Sequence, residues 1–151
     1  MRRDDKRIIS KEDLVKILRG GQVCCLSMVD RGKPYVVPVS YGYAENALYV
    51  HSAPEGRKID ILGKNPEVCF SIVGDYEIIK SERACFWSAR YRSVTGTGKA
   101  RILTDRDEKE KGFAVLMGHY SDREYDFTGM ALDDVIVIKV EIETIEGKRS
   151  S

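Results

Sequence analysis

A chain of 151 residues, 42% hydrophobic and 32% charged, is sized for one globular domain that can bury a core. Its 25 basic and 24 acidic side chains leave a net charge of +1, which excludes the basic footprint of a nucleic-acid binder or of a protein held on anionic lipid. No apolar run approaches the ~18 residues of a membrane-spanning helix, and the charged start Met1–Arg7 has no apolar stretch behind it, so a cytoplasmic location is expected.

Ser10 before Glu12 and Asp13 predicts a helix cap; Leu14, Ile17 and Leu18 form its apolar stripe, and Gly20-Gly21 stops it. Residues 23–29 read as a strand apolar on both faces, hence central, with Cys24 and Cys25 pointing to opposite sides. Asp30 to Lys33 is a turn, and 35–43 a second strand, with Asn46 in the following hairpin loop. Pro38 cannot donate to a ladder, so that strand is an edge there, or bulged, or faces a ligand. Leu48 to His51 is a third strand, after which the period changes. Ser52 and Glu55 stand at capping-box spacing, and Ile59 and Leu62 share one face of a short helix.

Gly63 and Asn65-Pro66 end that helix, and Val68, Phe70 and Ile72 then alternate with Cys69, Ser71 and Val73. Residues 74–83 are charged and irregular, with a short strand at Ile78-Ile79. Residues 84–103 hold the longest β-like run, in which Gly96 and Gly98 mark a bulge or a close backbone approach. Asp105 and Glu108 form a cap pair for a helix whose stripe is Phe113, Leu116, Met117 and Tyr120, with 108–111 facing water and His119 structural or on the surface. A loop over 121–133 leads to a last strand. Its Ile136, Ile138, Val140 and Ile142 share one face, and Lys139, Glu141 and Glu143 the other. Residues 1–8 and 147–151 are expected to fray. The four cysteines make no C-x-x-C, which predicts reduced, mostly buried thiols and no metal site. Short hairpins dominate and no βαβ alternation exists, so the expected fold is mainly β: an antiparallel sheet closed into a small barrel with peripheral helices, one domain over 1–151.

The chemistry concentrates after the third strand. A strand-to-helix turn there holds Ser52, Gly56 and the adjacent cations Arg57 and Lys58, which reads either as a phosphate site or as a capped surface helix with solvated cations. His51 directly precedes it, as a simple hydrogen-bonder or as a residue beside a cofactor. Trp87 and Tyr91 either fill the core or line a flat apolar cleft for a planar heterocycle. Gly96-x-Gly98 lies between β-like runs with no helix behind it, so it is no dinucleotide loop.

Four segments in register carry a resemblance: Pro38-Val39-Ser40-Tyr41-Gly42-Tyr43, His51-Ser52-Ala53-x-Glu55-Gly56-x-Lys58, Asn65-Pro66-x-Val68-Cys69-Phe70 and Tyr91-x-Ser93-Val94-x-Gly96-x-Gly98. Together they resemble the pyridoxamine 5′-phosphate oxidase-like FMN-binding split barrels, and within these the nitroimidazole-resistance (NimA-like) branch. The resemblance implies a six-stranded antiparallel split barrel, homodimeric, with FMN in a groove at the dimer interface. It implies that Pro38, Val39, Ser40 and Tyr41 run along the flavin ring, and that His51, Ser52 and Ala53 lie under the ring and ribityl chain. Gly56, Arg57 and Lys58 would hold the phosphate. Arg92, Ser93, Val94 and Thr95 match a second flavin-contacting strand, with Trp87 and Tyr91 beside it. The implied activity is reduction of a small organic acceptor, such as a nitroaromatic, with His51 as the catalytic candidate. The alternatives are a flavin carrier or redox sensor without turnover, or a binder of haem or a deazaflavin. The vitamin oxidases' phosphate-side lysine and their Arg-Trp-x-Arg-Leu-like ending are absent, so the resemblance does not extend to pyridoxamine phosphate as substrate.

Overall fold

The computed structural model describes residues 4–127, 129 and 131–150. Among these the chain forms eight strands and three α-helices: β1 (Arg7–Ile8), α1 (Lys11–Gly20), β2 (Cys24–Asp30), β3 (Lys33–Val39), β4 (Gly42–Ala44), β5 (Ala47–Ser52), α2 (Arg57–Leu62), β6 (Glu67–Ile79), β7 (Ser88–Ile102), α3 (Arg106–Tyr120) and β8 (Ile136–Ser150). Six strands are long, and β1 and β4 are short additions of 2 and 3 residues.

The strands form one antiparallel sheet in the order β3-β2-β6-β7-β8-β5-β4, with β1 also on β8. Its two ends, β3 and β4, are joined only by Ser40 and Tyr41. Seven strands laid flat would hold their outer members ~28 Å apart, whereas Val39 and Gly42 are linked by three Cα–Cα steps of ~3.8 Å. The sheet therefore rolls until its ends meet without pairing, which is a split barrel.

Leu26, Met28, Leu48, Val50, Phe70, Ile72, Val94, Ile138 and Val140 fill the interior. α1 adds Leu14, Ile17 and Leu18 to this core, and α2 adds Ile61 and Leu62. α3 lies against the other face of β5, where Ala47, Tyr49, Leu103 and Val137 meet Phe113 and Val115. β5 is thus covered on both sides, which explains its run of apolar residues. Two of the expected caps form: Ser10 Oγ accepts from the Asp13 amide at 3.4 Å, and an Asp105 carboxylate oxygen from the Glu108 amide at 3.0 Å.

Several expectations are corrected. The Ser52–Glu55 capping box does not form, because Ser52 still belongs to β5, paired with Ile136. The helix starts only at Arg57, after Gly56 with φ 130° and no side-chain cap. The predicted strand 35–43 breaks at Ser40-Tyr41, where the chain crosses from one sheet end to the other. Residues 74–79 are no irregular loop: β6 runs through them past a register irregularity. Beyond it Tyr76 stacks on Tyr91 (6.5 Å) and Glu77 pairs with Arg90 (3.0 Å). β2 is central but not apolar on both faces; Cys24 is buried and Cys25 exposed. Cys69 and Cys85 are exposed too, so the thiols are not mostly buried. Burial, reinforced by Cys25 and Cys69, pushes the Cys24 thiol up to about 12, so it is expected to resist thiol reagents until the protein is unfolded. Lys109 does not face water; it is buried with Nζ donating to the Leu132 carbonyl at 3.2 Å.

The tails do not fray within the described residues. β8 runs to Ser150, flanked by β7, and Gly147 and Lys148 also pair with Ile8 and Arg7 of β1. The glycine expectation for β7 holds. Gly96 faces Phe70 with no room for a side chain, and a bulge opposite Gly98 leaves Glu143 as the extra residue of β8.

Candidate functional site

The seam of the barrel is lined by two unpaired strand edges. Among the described residues β3 pairs only with β2, and Val50–Ser52 pair only with β8, because the β4 partner stops at Tyr49. Pro38 lies opposite Cys25 and can donate nothing, so the rungs that exchange both hydrogen bonds are the alternate ones, such as Cys24–Val39 and Leu26–Val37. Val36, Pro38 and Ser40 therefore turn their backbone groups to the seam. Pro38 is an edge residue, one of the three alternatives the sequence left open.

A cationic corner closes one end of this seam. The Arg57 guanidinium lies 4.4 Å over the Tyr35 ring, and its Nη2 stands 3.4 Å from Asp30 Oδ2. Lys58 is half-buried, and burial lowers its pKa below the ordinary lysine value. No carboxylate among the described residues pairs with it. A half-buried cation with no counter-charge is poised for an anion. Gly56 and Ala53 are exposed beside it, and nothing lies within 4 Å of the place a Gly56 side chain would take.

Ser52 is buried, whereas His51 alternates to the α3 side and is exposed. The His51 ring stands 5.7 Å from Phe113, which stands 5.9 Å from Phe127. Tyr41 is fully buried, with its hydroxyl donating 2.7 Å to the Leu18 carbonyl and its amide donating to the Tyr120 hydroxyl, so neither group is open to a ligand.

The second group of sequence-matched residues lies elsewhere. His51 pairs with Val137 of β8 and Ser93 with Lys148, so ~35 Å of extended strand separates them along β8. One protomer does not bring Arg92–Thr95 to the cationic corner. Val94 is in the core, and Arg92 is held by Asp75 at 3.0 Å from its Nε. Ser93 and Thr95 face outward. The register sets Pro38, Cys25, Ser71 and Thr95 in one row across four strands, and Cys25 and Ser71 of that row join Val23 and Val73 in lining a groove of about 370 Å³. Trp87 and Tyr76 are 52% and 61% exposed on the projecting β6–β7 arm, beside exposed Phe86 and Ile78. Trp87 therefore does not fill this protomer's core; its indole donates 2.7 Å to the Ser81 carbonyl.

Sequence reasoning missed Tyr35 and Asp30, which set the Arg57 guanidinium, and the role of Tyr120. The Tyr120 hydroxyl accepts from the Tyr41 amide at 3.0 Å and donates to the Gln22 carbonyl at 2.8 Å. No local pattern links residues 98 positions apart. His119 is structural as expected, with Nε2 2.6 Å from the Gly21 carbonyl. Among the described residues no group of three His, Cys, Asp or Glu could hold a metal, and no helix is long and apolar enough to cross a membrane.

The comparisons with known proteins follow this geometry. A curated but uncharacterised protein of Rhizobium meliloti is 29% identical over 91 residues, 60% of this chain and 59% of that one, so the match spans about three fifths of the relative's length. A crystal structure of a candidate 5-nitroimidazole antibiotic resistance protein from Bacteroides thetaiotaomicron superposes with a TM-score of 0.84 at 31% identity, covering 95% of this chain and 86% of that one. An FAD- and haem-binding protein from Mycobacterium smegmatis shares the fold, with a TM-score of 0.77 at 18% identity over 97% and 74% of the two chains. Residues 10–149 match the pyridoxamine 5′-phosphate oxidase family, nearly the whole length over which the split barrel, its seam and its cationic corner are built. The chain belongs to the pyridoxamine 5′-phosphate oxidase family.

Proposed function

We propose that this protein binds FMN along the seam between β3 and β5, and acts as a homodimeric oxidoreductase on a small organic acceptor. The observation that carries the reading is the cationic corner: Lys58, half-buried without a counter-charge, beside Arg57 at the end of two unpaired strand edges. A phosphate satisfies those cations, and the seam edges offer backbone donors and acceptors to a flat ring. The similarity to a nitroimidazole-resistance structure, and to a fold-mate that binds FAD, supports a flavin over other anions.

Bound FMN would supply two-electron transfer; the chain's part is to hold and orient it. Arg57 and Lys58 anchor the phosphate. The backbone of Val36, Pro38 and Ser40 meets the ring edge, and His51 orients the acceptor or gives it a proton. The second subunit completes the pocket. On the outer sheet face the row Pro38, Cys25, Ser71 and Thr95 is small and uncharged, and the β6–β7 arm exposes Val73, Tyr76, Ile78, Phe86 and Trp87. A two-fold pair of such faces buries these side chains and carries Ser93, Thr95 and Trp87 to the other protomer's seam.

The test is purification followed by an absorbance spectrum, mass identification of the extracted chromophore, molar mass in solution, and turnover of a nitro compound with a reductant. FMN in a dimer with turnover is the expected result. A Soret band, or a protein that takes up no flavin, overturns the reading. Trp87→Glu with Ile78→Glu is expected to give a monomer that has lost FMN, read by sedimentation and flavin fluorescence.

FMN affinity should depend on pH in two opposite steps. It rises as the phosphate takes its second charge near pH ~6. Burial lowers the Lys58 pKa in the free protein, and a phosphate beside it favours the charged form. The complex therefore binds more protons than the free protein at alkaline pH, and affinity falls as pH rises through the lowered value. Lys58→Met should abolish this second step in a fluorescence titration.

A further inference from the structure

The β2–β3 ladder ends two rungs short of where its register would carry it. Cys24 pairs with Val39, so the register next sets Val23 against Ser40 and Gln22 against Tyr41. In the Gln22–Tyr41 rung a direct bond would run from the Tyr41 amide to the Gln22 carbonyl. Instead the Tyr120 hydroxyl is inserted between them, accepting from the first at 3.0 Å and donating to the second at 2.8 Å. The neighbouring carbonyls are taken by the same cluster: Gly21 by His119 Nε2 at 2.6 Å, and Leu18 by the Tyr41 hydroxyl at 2.7 Å. The Gly21 carbonyl can only accept, so His119 Nε2 carries the hydrogen. The Tyr41 and His119 rings pack at 4.5 Å, and a side chain on Gly21 would collide with Ile72 and lie 2.8 Å from the Tyr41 hydroxyl. The last turn of α3 is thus keyed to the start of β2 and to the crossover.

This insertion has a consequence at the seam. The Ser40–Tyr41 peptide is trans and planar, so its N–H and C=O point in opposite directions. With the Tyr41 N–H pinned on Tyr120, the Ser40 carbonyl points away from β2, to the seam side, where no donor among the described residues takes it. The Ser40 amide points the same way by strand alternation. The family resemblance implies that the backbone here pairs with the pyrimidine edge of a flavin, which alternates carbonyls with one ring N–H, and a donor and an acceptor held side by side match that edge. We propose that Tyr120 is a positioning residue. Its hydroxyl locks the crossover peptide so that the Ser40 carbonyl accepts from the flavin's N3–H. The proposal rests on the FMN reading above and adds to it a residue outside every segment that carries the family resemblance.

The experiment compares Tyr120→Phe with the unaltered protein, measuring dissociation constants for FMN and for 3-methyl-FMN, which lacks the ring N–H. The unaltered protein should prefer FMN by about tenfold, and Tyr120→Phe should bind FMN about fivefold more weakly and retain little of that preference. Leu14→Ala, a core truncation at the far end of α1, serves as a control for lost stability and should keep the preference. A Tyr120→Phe protein that discriminates like the parent overturns the positioning role. So does one that loses FMN affinity in step with its melting temperature, as Leu14→Ala does, while keeping the preference. An unaltered protein that binds FMN and 3-methyl-FMN equally overturns the Ser40 contact. One that binds neither overturns the flavin reading itself.

Discussion

Replacing Arg57 and Lys58 together by alanine will weaken FMN binding at least ~tenfold, about 1.4 kcal/mol, while the denaturation curve stays within error of the parent. The expected loss is modest for two charge-assisted contacts because Arg57 is not free in the unliganded protein. It shares Asp30 at 3.4 Å and is more than half exposed, so its ion pair contributes little to stability and must be partly exchanged for the phosphate. The same geometry predicts that Asp30→Asn binds FMN more tightly, since it removes the competing carboxylate. Titration of flavin fluorescence measures both. Unchanged affinity in the double variant would return the two cations to the solvent-facing role that the sequence alone left open.

Gly98→Ala will destabilise the fold by ~3 kcal/mol or more. A Cβ at Gly98 would collide with the Glu141 carbonyl oxygen and come within 3.1 Å of its carbon and 3.2 Å of Val140 Cγ1. Two of these atoms are backbone of the β8 partner strand at the bulge, so no side-chain rotation relieves the contact. Gly118→Ala is the matched counterpart, since nothing lies within 4 Å of its Cβ position in α3. It should stabilise the protein by ~0.5–1 kcal/mol through helix propensity. Chemical denaturation of the two variants reads both effects. A Gly98→Ala protein as stable as the parent would mean that β7 and β8 slide past the bulge more easily than the paired register allows.

Local chemistry made much of this protein legible in its sequence. Alternation located the interiors of β6 and β8, because side chains on a strand point alternately to the two faces. Ser10 and Asp105 marked true helix starts, because a cap hydrogen bond reaches only three residues along the chain. Pro38 narrowed its strand to an edge, a bulge or a ligand-facing position, because a residue without an N–H cannot serve a ladder on both sides. The same reach misled at Ser52, where pairing with Ile136 extended β5 and left the capping spacing unused. It also misled at 74–79, where a strand that looks too polar is stabilised by the β7 arm beyond the next turn, and at 147–150, where a strand that looks too terminal is stabilised by neighbours far away in the chain. The seam, the half-buried Lys58 with no carboxylate partner among the described residues, and the Tyr120 hydroxyl spliced between Gln22 and Tyr41 arise only when the sheet rolls and its ends meet. Spacing along the sequence reports what lies within a turn or a rung of a residue; which free edge faces which cation was decided by long-range packing alone.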